Sequence, residues 1–416
     1  MKNNAETTWQ ADIDIPSFPK LTGDTEADVV VIGAGIAGLL SAYALAEAGK
    51  NVVVLEKQRV LSQTTPRTTA FITQSIDVDT PDLIDMYGKE DAQLVWQSHG
   101  EAIEFIERII KKEKIDCEFM RCPNFQYAND RKERREIEEE YAALKQIGIR
   151  ATLSDSTTLG FGNRGVLAIP KQAKYHPLKF LAGILPALER MGVRIYEKSE
   201  VKDIDGDLPL KARVGSHTVS ADWALTSTYH PFNNPKEVFL KKGMYITHVV
   251  ELEVPKGKYP EGIYEDQDNP YHYFRVDSGK GMRGKDRVVL GGEDHRKEIP
   301  MHKKSFEALL GYAEDLFGKK YPVVRMWSGP IEEPVDGLAF IGEYDSHRIV
   351  ATAFSGNGMT YGVITAMMAR DLVIGKENPY TELYRPGRTP TMKQLWKMGR
   401  DYTEEFFRGA VANALK

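Results

Sequence analysis

Residues 28–56 read DVVVIGAGIAGLLSAYALAEAGKNVVVLE, and this stretch decides the fold. Val29–Ile32 is an unbroken β-branched run, the pattern of a strand buried on both faces in a parallel sheet. An apolar helix is expected over Ile36–Ala48, stopped by Gly49, and NVVVLE supplies a second strand. The first junction of this strand–helix–strand unit holds Gly33, Gly35 and Gly38. Gly33 allows the sharp turn off the strand, Gly35 lets backbone approach a pyrophosphate, and Gly38 lets helix and strand pack closely. Ala34, Ile36 and Ala37, between and beside the glycines, place amides at a helix N-terminus, where an anion is stabilised. Glu56, with Lys57 beside it, ends the second strand 18 residues after Gly38, where a carboxylate accepts hydrogen bonds from ribose hydroxyls. The expected ligand of the unit is a dinucleotide.

Two further glycine triplets share the spacing, Gly160/Gly162/Gly165 and Gly279/Gly281/Gly284. The first runs into the strand-like VLAIP and the second lies in a charged loop, so neither opens a helix as phosphate binding requires, and both read as turns. Val29–Ala46 is uncharged for about the length of a membrane span. Acidic residues precede it and its glycines are explained by the turn, so no membrane span is expected.

The chain has 416 residues, enough for two or three domains of ordinary size. Its 55 Lys+Arg against 60 Asp+Glu give a net charge of -5, which excludes the basic footprint of a general nucleic-acid binder. The two cysteines, Cys117 and Cys122, build neither a disulfide framework nor a four-cysteine metal site, so a reducing, cytoplasmic setting is expected. The nine histidines show no H-x-x-x-H or H-E-x-x-H spacing, and no metal site is expected.

The fold class is α/β: a Rossmann-like domain assembled from separated segments, with a strand-rich (α+β) second domain. Residues 1–27 read as an irregular N-terminal arm of unreadable role. Segments 28–90, 166–230 and 326–385 are assigned to the nucleotide domain. Segment 91–165 is assigned as a helical/substrate region, with 91–147 reading as helices and RKERREIEEE from Arg131 as a solvated face. Segment 231–325 reads as sheet, and 386–416 as a helical tail.

The ADP half of the site does not separate FAD from NAD. Past Glu56, QTTPRTTAF offers hydroxyls and amides from Thr64, Thr65, Thr68 and Thr69 to a second phosphate and a ribityl chain, with Arg67 among them. Far downstream the strand IVATAF runs through SGNGMT into a helix, so Gly356, Asn357, Gly358, Met359 and Thr360 form a second strand–turn–helix junction. A helix dipole there stabilises the negative charge of a reduced flavin by about 0.3–2 kcal/mol. An NAD site has no use for it.

VVVIGAGIAGL with Glu56, TTPRTTA, and VDGLAFIG followed by FSGNGMT together resemble the D-amino acid oxidase/glycine oxidase group of FAD-dependent oxidoreductases. With HPF (230–232), GGEDH (291–295) and Trp327–Ser328, the chain is most similar to a bacterial branch in which this module is often followed by a Rieske iron–sulfur domain. No C-x-H…C-x-x-H ligands occur here. The resemblance implies that the glycine turn, Glu56, Thr64, Thr65, Thr69, Ala70 and 356–360 contact FAD, and that Val201 gives backbone contacts to the adenine. It implies noncovalent FAD, because no cysteine stands at the flavin-tethering position. It also implies an oxidoreductase acting on a small amine or amino-acid-like substrate, with hydride passing to flavin N5 and electrons returning to O2 or a separate redox partner. The second expectation is a flavin-binding electron-transfer or assembly module with its substrate site idle.

Amino-acid oxidases of the group usually carry Arg-Pro shortly before the Asp-Gly of their late motif, whereas Ile331 and Glu332 stand there in this chain. A simple α-amino acid held in the family manner is therefore not expected. Glu332 and Glu333 read as exposed loop acids, the alternative being that they attract a cationic amine. In YHYFR, strand alternation puts Tyr271, Tyr273 and Arg275 on one face. The preferred reading of that face is a solvated strand surface with Arg275 in a salt bridge; if it instead lines the substrate cavity, Tyr273 orients the substrate and Arg275 binds an anionic group.

Overall fold

The computed structural model describes residues 6–392 and 394, apart from 156–158, 233–241, 269, 279–283 and 298–301. The chain begins with α1 (Thr8–Ala11), β1 (Thr25–Ile32), α2 (Ile36–Glu47), β2 (Val52–Leu55), β3 (Phe71–Ile72), α3 (Thr80–Tyr87), α4 (Lys89–Glu113) and β4 (Met120–Tyr127). Next come α5 (Arg131–Gln146), β5 (Thr152–Ser154), β6 (Val166–Lys174), α6 (Pro177–Arg190), β7 (Arg194–Tyr196), β8 (Asp203–Asp205), β9 (Leu210–Val214) and β10 (His217–Thr226). The rest is β11 (Lys242–Pro255), β12 (Gly262–Glu265), β13 (His272–Asp277), β14 (Lys285–Arg296), α7 (His302–Phe317), β15 (Val323–Pro334), β16 (Phe340–Asp345), β17 (Arg348–Thr352), α8 (Gly358–Val373) and α9 (Thr381–Tyr384).

Among the described residues the strands form two sheets. The first runs β16-β17-β10-β1-β2-β7, with β9 and β8 attached to β10. Within it β7, β2, β1, β10 and β17 are mutually parallel, and Val29–Ile32 is buried throughout, as its unbroken apolar run demands. The chain leaves β1 towards β2 on one side and returns through β10 on the other, so the carboxyl ends of β1 and β10 form a topological switch point, where ligands of open α/β sheets bind. The glycines act there by close approach. A Cβ on Gly38 would sit 1.8 Å from the Gly33 carbonyl oxygen, and one on Gly33, at φ +103°, would sit 2.9 Å from that of Ser227.

The second sheet runs β15-β11-β14-β13-β12-β4-β6-β3 and is largely antiparallel. It corrects three expectations. Residues 91–147 are not helix throughout: β4 lies between α4 and α5, its alternation hidden between two strongly helical runs. β6 and β3 pair in the second sheet although 166–230 and 28–90 were assigned to the nucleotide domain, and β15 carries the second sheet on to Pro334, past the boundary drawn at 326. Local periodicity makes a strand but does not choose its sheet. The expected tail 386–416 lies mostly outside the described residues. Among the described residues, no helix is long and apolar enough to cross a membrane.

The N-terminal arm has a structure and a position. Thr7 and Gln10 close a capping box on α1, and Trp9, fully buried, donates its Nε1–H to the Thr68 carbonyl at 2.6 Å.

Candidate functional site

One cavity of about 600 Å³ opens at the switch point, within the size range of cofactor sites. The first sheet contributes the segments after its strands: Gly33–Ala37 after β1, Glu56 and Lys57 after β2, Glu200–Lys202 beyond β7, Ser227–His230 after β10, and Ala353–Met359 after β17. The second sheet closes the cavity with Thr247, Glu265, Tyr271, Tyr273 and Gly329–Glu332. Thr64, Thr65, Arg67, Thr68 and Thr69 line it from the segment that connects the two.

The lining suits a dinucleotide. No side chain caps α2 at Gly35, which leaves first-turn amides for an anion. Thr65 fixes the opposite wall, its Oγ1 accepting the Ile36 amide at 3.2 Å. Glu56 is 7 % exposed; Oε2 accepts the Ala34 amide at 2.9 Å and Oε1 the Gln58 amide at 2.8 Å, and each oxygen keeps a lone pair for a hydroxyl. Val201, buried in the loop after β7, lies on the same wall. Asn357 does not cap α8 with its side chain, which instead accepts the Asp77 amide and donates to the Ser75 carbonyl.

Three expected contacts lie outside this wall. Gly38 packs on Gly33, one turn behind the lining. Ala70 is fully buried at φ +60°, its carbonyl accepting from Arg275 at 2.9 Å. Thr360 turns into the core, where its Oγ1 bonds His99 Nδ1 at 2.7 Å. Among the described residues His99 has no charged partner, and burial pushes its pKa down to about 3.

Tyr273 lines the cavity and bonds Thr247 through its hydroxyl at 2.8 Å; its ring stacks beside Tyr271 at 5.3 Å and meets Phe71 edge-on at 5.6 Å. Arg275 does not line it. Two residues along β13 it is past the cavity and 1 % exposed, donating to the Thr69, Ala70 and Tyr175 carbonyls and pairing with Asp277. Burial would raise the Asp277 carboxyl, but Arg275, Lys174 and Arg287 hold it well below its usual value. Arg275 therefore braces the Thr64–Thr69 segment and is not free for an anionic substrate.

Glu332 also corrects its expectation. It is 2 % exposed on β15, held by Lys242 at 2.7 Å, His230 at 2.9 Å and Thr352 at 3.1 Å. The Trp327–Ser328 pair acquires a role: Trp327 Nε1 donates to the Arg67 carbonyl and Arg67 to the Ser328 carbonyl.

Asp77 and Glu265 carry no signal in the sequence. Asp77 accepts the Gly356 amide at 2.6 Å, and its pKa is raised by desolvation. Glu265 accepts from Asn124 at 2.8 Å; desolvation first, with Asp77 adding to it, lifts its pKa to about 7. On the other face of β12 and β13, Asp266, Asp268 and His272 bring possible metal-ligand atoms within 4.8 Å of one another, a grouping that local histidine spacing does not reveal. His272 is already bonded to Asp266 and Glu293 and stacks on Tyr312, so the group serves as a brace.

Residues 28–372 match the model of the family described as FAD dependent oxidoreductase, and the chain belongs to that family. It is an oxidoreductase with FAD as its noncovalent cofactor. It is 30 % identical over 99 % of its length, and 81 % of the relative's, to a putative Rieske 2Fe-2S iron–sulfur protein of Bacillus subtilis. It is 25 % identical to the gamma-glutamylputrescine oxidoreductase of Escherichia coli over 86 % of each chain. Its fold resembles that of glycine oxidase from Geobacillus kaustophilus, with TM-score 0.74, 20 % identity and coverage of 88 % of this chain and 99 % of the other.

Proposed function

We propose that this chain oxidises a C–N bond of a small amine- or amino-acid-like substrate. The observation behind this reading is the shared cavity: a dinucleotide cradle from one sheet faces an enclosed wall of tyrosines and carboxyls from the other. When bound, FAD supplies the hydride acceptor. The Gly35 and Ala37 amides at the N-terminus of α2 hold the diphosphate, Glu56 the ribose and Val201 the adenine. Thr64, Thr65, Thr68 and Thr69 hold the second phosphate and ribityl chain, and the Gly356–Met359 turn stabilises charge on the reduced ring. Tyr271 and Tyr273 exclude water and orient the substrate.

Electrons return to O2 or to a separate redox protein. The name of the Bacillus subtilis relative supports the second of these. The deciding experiment is anaerobic mixing of the FAD-loaded protein with a panel of amines and amino acids. Bleaching of the visible flavin bands by a panel member is expected, followed by reoxidation with O2 or an added acceptor. Bleaching by a protein partner alone would replace this reading with the electron-transfer module, and a chain that takes up no FAD would overturn it.

A further inference from the structure

The charges around the second-sheet wall are unevenly settled. Lys174, Arg275 and Arg287 all converge on Asp277, and Lys242 is taken by Glu332. Asp77 and Glu265 face the cavity, and among the described residues neither has an ion pair. Desolvation raises the proton affinity of both carboxyls, and the charge of Asp77 adds to the rise at Glu265. Beside them stand the paired rings of Tyr271 and Tyr273, whose faces attract a cation, and Tyr273 is 9 % exposed. Ile331 lines the same wall without charge. Two carboxyls that line one cavity with no counter-ion among the described residues repel each other, and a positive ligand would relieve that repulsion.

Resting on the C–N oxidation reading, we propose that the substrate is a basic amine carrying an ammonium group and no carboxylate beside the reacting carbon. The ammonium docks between Asp77 and Glu265 against the Tyr271–Tyr273 wall, so these two carboxyls determine specificity. Arg67 is the lining cation with a hydrogen bond to the Ser328 carbonyl, and it is the group a carboxylate ligand would use instead. A diamine of about four carbons, its monoamine analogue and the corresponding amino acid therefore separate the alternatives.

The test has a binding arm and a turnover arm. In the first, FAD-loaded protein is titrated with n-butylammonium, 1,4-diaminobutane and butyrate, and the flavin difference spectrum is recorded. The two cations are expected to perturb the flavin, the diamine at roughly tenfold lower concentration, while butyrate has no effect. Glu265→Gln and Asp77→Asn should each weaken the diamine response about tenfold or more while flavin content is unchanged, and Glu265→Asp should restore part of it. Butyrate binding more tightly than the cations, or none of the three perturbing the flavin, would overturn the proposal. In the second arm, reduction by the diamine faster than by 4-aminobutanoate or by α-amino acids is expected. Cation binding without reduction by any amine would sink the C–N oxidation reading and leave the charge preference standing.

Discussion

Arg275 shows how a side chain's neighbours set its role. Its guanidinium holds three carbonyls, two of them from the Thr69–Ala70 end of the cavity segment, and shares Asp277 with Lys174 and Arg287. Replacing it by Met leaves those acceptors and part of a buried charge unpaired, at about 3–5 kcal/mol. Arg275→Met is thus expected to lower the unfolding free energy measured with denaturant and to loosen FAD together with it. A variant of undiminished stability whose KM alone rises for an anionic substrate would return Arg275 to the substrate site. The carboxyls follow the same logic in reverse: Asp77 and Glu265 line the cavity, and among the described residues neither is held by an ion pair.

At the scale of elements, α4 and α8 meet at His99, whose ring lies edge-on to Tyr361 and whose Nδ1 bonds Thr360. Its folded pKa of about 3 lies below the ordinary 6.5. Between these values the unfolded chain takes up a proton that the folded chain refuses, so stability falls as pH drops through this window. His99→Gln should therefore reduce the loss of unfolding free energy between pH 7 and pH 5 by about 2 kcal/mol, seen in denaturant titrations at the two pH values. An unchanged difference between variant and wild type would mean that His99 is protonated in the fold. The α2–α8 contact needs a small residue as well, since a Cβ on Gly362 would lie 3.1 Å from Ile36.

Across the whole molecule, the arm ties the two sheets together at the cavity. Trp9 donates to Thr68 on the connecting segment, Thr8 accepts from Arg287 on β14 at 2.8 Å, and the Arg275 and Arg287 guanidinium carbons lie 5.1 and 5.3 Å from the Trp9 ring centre. Trp9→Ala removes a fully buried indole, at about 3–5 kcal/mol. The expected outcome is a Tm lowered by several degrees and flavin released before global unfolding, followed by flavin fluorescence on heating. Simultaneous release and unfolding at the wild-type temperature would deny the arm this role.

The sequence by itself determined the strand–helix–strand unit, the three-glycine turn, Glu56 and the second junction at 356–360, because each is a local pattern whose φ, packing and period are set by neighbouring residues. It also marked Tyr271 and Tyr273 as sharing a face through strand alternation. Only the tertiary structure decided which sheet β6 and β15 join, that Glu332 is buried against Lys242, that Arg275 is a brace, and that Thr360 faces His99. Asp77 and Glu265 were invisible in the sequence for the same reason. Whether a charge is paired, buried or left facing a cavity depends on groups up to hundreds of residues away, and no local spacing records where those groups arrive.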